Sequence, residues 1–217
     1  MNIPFSPPYI DQSVVDQVLD TLHNNWITTG PKVKALEQEI LNLTGTDAAV
    51  CVNSWTSGAI LMLKWFGVKA GDEVIIPAYT YCATALSVLH CGATPIMVDV
   101  LEDFTIDPNK VRDAITSKTK AIIAVDFAGW PCDYDALNAV ISTPSVKKQF
   151  VPESEKQLAL GRILLVADAA HSIGSQYGDK AAAKKSDVTI FSFHAVKNIT
   201  TAEGGCICLN LPPTFDV

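Results

Sequence analysis

The stretch ILLVADAAHS (163–172) decides the fold class. Its first five residues are apolar with no alternation, the pattern of a strand buried on both faces rather than one with a solvated side. Polar residues, Asp168 and His171, follow at once, where such a strand would end. Working outward, the same grammar recurs. Short apolar runs lie at 48–52, 73–77, 94–98, 121–125 and 188–193, and a last one at 207–210. Segments with apolar residues every three or four positions fall between or before them, at 13–24, about 33–43, 54–66 and about 81–90. Strands alternating with helices predict an α/β fold, three layers deep (α/β/α), with a mostly parallel sheet covered on both faces. The stretch STPSVKKQFVPESEKQLALG (142–161) departs from the pattern. It is polar, basic and proline-containing, and reads as a surface insertion with a short helix of its own and no catalytic part.

Composition narrows the function by exclusion. The 217 residues are 48% hydrophobic and 18% charged, enough for a large core and wrong for a disordered chain. A net charge of −7 gives no electrostatic reason to expect nucleic acid or an anionic membrane as partner. No apolar run approaches the roughly 20 residues that span a bilayer, and the N-terminus lacks a secretory pattern, so a cytoplasmic protein is expected. Cys51, Cys82, Cys91, Cys132, Cys206 and Cys208 then read as reduced thiols. None forms a C-x-x-C pair and the histidines have no ligand spacing, so no metal is expected.

In open parallel sheets, ligands bind beyond the carboxyl ends of the strands. The residues just past each apolar run are therefore the candidates: Asn53-Ser54, Tyr79-Thr80-Tyr81, Asp126, Asp168 with His171, and His194 to Lys197. Four of these groups suit one kind of cofactor. A lysine desolvated beside a buried strand has a lowered pKa and becomes a nucleophile for an aldehyde, which fits Lys197. A carboxylate that keeps a pyridine nitrogen protonated turns the ring into an electron sink, which fits Asp168. Backbone amides at a helix start hold a phosphate, and Ser54-Trp55-Thr56-Ser57-Gly58 opens a helix in that way. An aromatic ring can cover the cofactor's face, which fits Tyr81. Each residue also has a plain reading: a solvated lysine, a capping aspartate or serine, a core tyrosine, structural histidines at 171 and 194.

With these residues in place the chain resembles the DegT-type sugar aminotransferases, members of the aspartate aminotransferase fold (fold type I of the pyridoxal-phosphate, PLP, enzymes). The resemblance is carried by WITTGPKVKALEQEI (26–40), GDEVIIPAYTYCATA (71–85), GATPIMVDV (92–100), VADAAHSIG (166–174) and, above all, FSFHAVKNITTAEGG (191–205). It implies that Lys197 forms the Schiff base with PLP and then moves the proton. Asp168 would pair with the pyridine nitrogen, with Tyr81 on one side of the ring and His171 on the other. Trp55 and Thr56, with Ser54 and Ser192, would hold the phosphate. Thr29, Gly30 and His194 would lie toward the substrate. The implied reaction takes an amino group from a donor, glutamate, and passes it to a keto group of a nucleotide-linked sugar, in a homodimer.

The resemblance also implies an N-terminal helical segment (1–25), a large PLP-binding domain (26–217) and, beyond it, a small C-terminal domain that this chain lacks. On that reading the cofactor site is mostly encoded here, and turnover needs the missing part. Two departures stand out. Trp55 is bulky where relatives carry a small residue, so its side chain must turn from the phosphate. Asp126 occupies a position where the family usually has histidine. Three other readings compete. A dehydratase of the same fold would replace Lys197 with histidine, and a Rossmann dehydrogenase would need a G-x-G-x-x-G that Cys51-Val52-Asn53-Ser54-Trp55 does not offer. The third is a protein that binds PLP without turning over, inactive or regulatory.

Overall fold

The computed structural model describes residues 3, 6–212 and 215. Among the described residues the strands are β1 (Ala48–Val52), β2 (Glu73–Pro77), β3 (Thr94–Val98), β4 (Thr119–Val125), β5 (Leu164–Asp168), β6 (Gln176–Tyr177), β7 (Lys180–Ala181), β8 (Val188–Ser192) and β9 (Gly205–Leu209). The helices are α1 (Gln12–His23), α2 (Pro31–Thr44), α3 (Trp55–Trp65), α4 (Cys82–His90), α5 (Pro108–Ala114), α6 (Tyr134–Ser142), α7 (Pro144–Gln149) and α8 (Glu155–Leu160). Seven strands form one sheet in the order β1-β9-β8-β5-β4-β2-β3, while β6 and β7 make a separate two-residue ribbon.

The central strands β5, β8 and β9 are buried at every residue, and β4 at all but its last, as unalternated apolar runs require. Helices cover both faces. Trp55, Ala59 and Leu63 of α3 join the main apolar cluster with Ile190 and Ile207, while Ile40 of α2 packs with Phe191, Cys206 and Cys208 from the opposite face. Helix boundaries follow local chemistry. α2 opens on Pro31, whose missing N–H costs nothing there, and closes on Gly45 at φ 65°. Asp107 and Asp133 cap α5 and α6 through their carboxylates. α1 buries none of its residues and is tied to α2 by Lys32, which pairs with Asp20 at 2.8 Å.

Two elements differ from expectation. β9 begins two residues before its apolar run and lies antiparallel between β1 and β8, the one exception in an otherwise parallel sheet. Glycine ordinarily marks the end of a strand, which hid Gly205 from a hydrophobicity pattern. Its position requires it: a Cβ there would sit 2.8 Å from the Phe191 carbonyl oxygen and 2.9 Å from the Trp55 nitrogen. The segment 142–161 holds two helices and is partly core. Val146, Phe150 and Gln157 are buried, and the Ser154 hydroxyl donates to the Phe66 carbonyl at 2.8 Å. Beneath it the buried Lys120 ammonium donates to the Val151 carbonyl and lies 3.6 Å from Glu153 and 3.8 Å from Asp72. Lys120 is the second residue of β4, so the insertion closes the amino-terminal edge of the sheet.

Candidate active site

Six parallel strands deliver their carboxyl ends to one edge of the sheet, and antiparallel β9 brings its amino end to the same place. A cavity of about 660 Å³ opens there. Ser54, Trp55, Thr56, Tyr81, Asp168, His171, Ser192, His194 and Lys197 all line it, as do Tyr79, Thr80 and Asp126. Ser54 and Lys197, 143 positions apart in sequence, therefore meet through the order of the strands, while Asn53 lies just outside the lining. Thr29 and Gly30 are not in its lining. The Trp26 indole donates to the Thr29 carbonyl at 3.1 Å, and a Cβ on Gly30 would lie 2.3 Å from that indole nitrogen, so this glycine serves local packing.

Asp168 is the last residue of β5 and 5% exposed. The Thr84 hydroxyl donates to one of its carboxylate oxygens at 3.0 Å, and the Ala170 N–H to the other at 3.3 Å. Burial pushes its pKa up to about 7 against the pull of those donors and of Lys197, with Asp126 adding to the rise. Among the described residues no cation forms a salt bridge with it. It is a buried carboxylate in want of a positive partner.

Lys197 lies in the turn after β8, its N–H bonded to the His194 carbonyl at 2.9 Å. Its Nζ is 2.6 Å from His171 Nε2. Burial lowers the pKa of the ammonium, opposed by Asp168, and burial with Lys197 lowers that of the imidazole. Both shifts loosen the hold of each group on its proton, as expected where two basic nitrogens stand this close and partly buried.

Across the cavity α3 starts at Trp55. The Ser54 hydroxyl accepts from the Ser57 N–H at 3.1 Å, so it is a helix cap. The first amides of the helix, those of Trp55 and Thr56, have no acceptor one turn back and are available to an anion. The Trp55 side chain is 5% exposed and belongs to the main apolar cluster, turned into the core as its bulk requires. Its indole Nε1 is buried with no hydrogen-bond partner. Gly205 lets β9 approach this helix start, and alanine there would force the strand from it. Gly205→Ala is expected to destabilise the chain by about 1–3 kcal/mol, read as a lower urea midpoint, with weaker anion binding at the α3 start.

The rim is aromatic. Tyr81 precedes α4 and is 78% exposed, free to lie over a ligand. Tyr79, Phe104 and Phe127 form a trio with ring centroids 5.1–5.4 Å apart. His194 Nε2 is 3.7 Å from Glu203. Sequence reasoning did not single out Thr84, Glu203 or Phe104. Thr84 carried a signal, a hydroxyl one turn from Thr80; the two hydroxyls are 2.9 Å apart. Among the described residues no group of three His, Cys, Asp or Glu side chains stands together as metal ligands. No described helix is long and apolar enough to cross a membrane.

A parallel α/β sheet with a desolvated lysine, a buried aspartate and a helix start around one cavity defines a class: the chain belongs to the DegT/DnrJ/EryC1/StrS aminotransferase family, whose pattern matches residues 8–147 and 154–214. Among curated relatives it is similar to the spore coat polysaccharide biosynthesis protein SpsC of Bacillus subtilis. They are 36% identical over 206 residues, which are 94% of this chain and 49% of that protein. Among solved structures it matches a Streptococcus pneumoniae protein described as a sugar aminotransferase, Spr1654, in its PLP form. The TM-score is 0.96 at 46% identity, covering 100% of this chain and 55% of that one. It also matches DesI, solved in the presence of its TDP-sugar product, with a TM-score of 0.79 at 30% identity over 94% of this chain and 48% of that one. The chain thus spans about half the length of the relatives it matches.

Proposed function

We propose that this chain binds PLP through Lys197 and carries the cofactor site of an aminotransferase that aminates a keto group of a nucleotide-linked sugar. The observation that supports it most is the buried Asp168, with no salt bridge among the described residues, facing the same cavity as the Lys197 amine, whose pKa burial lowers. The residues present fit the cofactor. Asp168 supplies the charge for a protonated pyridine, and the Trp55 and Thr56 amides suit a phosphate. Gly205, where a Cβ would lie 2.9 Å from the Trp55 nitrogen, keeps the backbone at that helix start in place.

When bound, PLP supplies an electron sink for charge developing on the carbon beside the transferred nitrogen. The chain's own residues do the rest. Asp168 holds a proton on the ring nitrogen, Tyr81 and His171 enclose the ring, and the α3 start with Ser192 anchors the phosphate. Lys197 Nζ, its pKa lowered by burial, takes up and returns a proton at the reacting carbon, with His171 2.6 Å away to orient it. His194, in the cavity lining, is assigned to the substrate side, as are Thr29 and Gly30, which lie outside that lining. Glutamate as donor, and a homodimer as the working unit, complete the reading. So does the division into an N-terminal helical segment (1–25) and a large domain (26–217). The family names of the relatives favour sugar substrates over amino acids.

The test is to add PLP to the folded chain, reduce with borohydride and map the peptides. A pyridoxyl mass on the Lys197 peptide supports the reading. Amination of a nucleotide-linked keto sugar, with glutamate as donor, extends it to the reaction. A folded chain with no adduct sinks it.

A further inference from the structure

Asp126 is the first residue past β4, lines the cavity, and is the most heavily bonded carboxylate in it. The Tyr134 hydroxyl donates to Oδ1 at 2.6 Å and the Cys132 N–H donates to the same oxygen at 3.1 Å. The Ser172 hydroxyl donates to Oδ2 at 2.6 Å. All four residues are buried, so water does not stand in for any of these contacts. Asp126 is tied to the next strand as well, its N–H bonding the Asp168 carbonyl at 3.0 Å.

Ser172 directly follows His171, and the turn they share is otherwise held from its outer side. The Ser175 hydroxyl donates to the Gly129 carbonyl at 2.8 Å, and the Asn198 amide to the Ile173 carbonyl at 3.3 Å. Gly129, at φ 86°, passes so near that a Cβ would lie 2.9 Å from the His171 carbonyl oxygen. Its neighbour Ala128 is held at φ 52°, a costly value for a residue with a side chain. Asp126 anchors this strained turn too, since its carbonyl accepts the Gly129 N–H at 3.2 Å. Two loops that enclose the His171 backbone therefore meet at one carboxylate.

We propose that Asp126 is a positioning residue: through Ser172 it fixes the turn that carries His171, and so sets where the imidazole stands against Lys197. Its importance for catalysis rests on reading the cavity as the PLP site, while the positioning itself does not. Removing the carboxylate strands three buried donors, so Asp126→Ala risks the fold. Ser172→Ala removes only the link to His171 and leaves the other two bonds to Asp126.

The experiment follows the His171 ring by NMR titration in the cofactor-free chain, and PLP affinity by absorbance, for wild type, Ser172→Ala and Ser172→Thr. In wild type the imidazole pKa is depressed by burial and by Lys197. Ser172→Ala frees the turn, so the His171 midpoint should rise toward the ordinary value of about 6.5. PLP should bind about fivefold to tenfold more weakly. Ser172→Thr keeps the hydroxyl and should keep both near wild type. A folded Ser172→Ala chain with unchanged His171 titration overturns the proposal and reduces Asp126 to a buried group satisfied for stability. If wild type takes up no PLP, the functional reading fails, and the titration still decides the positioning role.

Discussion

On the proposed reading, replacing Lys197 with alanine is expected to abolish the borohydride-stable PLP adduct and, in an enzyme complete enough to turn over, to cut amino transfer by about four orders of magnitude or more, since it removes both the nucleophile and the proton carrier. Arginine should be no substitute. Its guanidinium stays protonated at any working pH and offers no lone pair to the cofactor aldehyde. The fold should survive, because the Nζ of Lys197 bonds His171 at the cavity and contributes nothing to the apolar clusters. His171 gives an internal check. Lys197 helps depress its pKa, so in Lys197→Ala the imidazole should titrate higher than in wild type while remaining below the ordinary value through burial. The measurement pairs peptide mapping after reduction with NMR titration of His171. Adduct retained at another lysine would show that the cavity holds PLP in a different orientation. Unaltered turnover would remove Lys197 from the chemistry.

The site was legible because its residues follow strands whose burial shows in composition. Asp168 comes straight after a run with no polar interruption, Ser54 and Lys197 follow theirs within four residues, and parallel topology does the rest. What escaped was what depends on a partner distant in sequence. Thr84 looks like any threonine in an apolar helix until β5 places Asp168 3.0 Å from it. Gly205 reads as a strand terminator until β9 is seen squeezed between two neighbours. The burial of Val146 and Phe150 was hidden by the lysines and prolines around them, because polarity averaged over a segment masks an inner face only a few residues wide. Trp55 shows the converse. Its size alone required the side chain to turn from the helix start, and it lies in the core.

The same desolvation that prepares Asp168 for a cation makes it a burden in its absence, and this sets the second large effect. Its folded pKa of about 7 exceeds the ordinary carboxylate value of about 3.9, so between these the folded chain keeps a proton that the unfolded chain has released. Stability of the cofactor-free protein should therefore fall as pH rises from about 4 to about 7 and level off above. The three-unit gap corresponds to about 4 kcal/mol at most. Asp168→Asn has no charge to bury. Its urea midpoint should match or trail wild type near pH 4, where the wild-type carboxyl is protonated and also carries no charge. It should pull ahead as pH approaches 8. PLP should reverse the order, because the asparagine cannot pair with a protonated ring. Loss of that charged hydrogen bond is worth about 2–3 kcal/mol, roughly 30- to 150-fold in affinity. The check is a set of urea melts from pH 4 to 8, with and without PLP. Parallel curves for the two cofactor-free proteins would show that Asp168 is ionised throughout, held by a cation or water in the cavity. A crossing that appears only without PLP would show a residue whose cost to the fold is offset by the cofactor it binds.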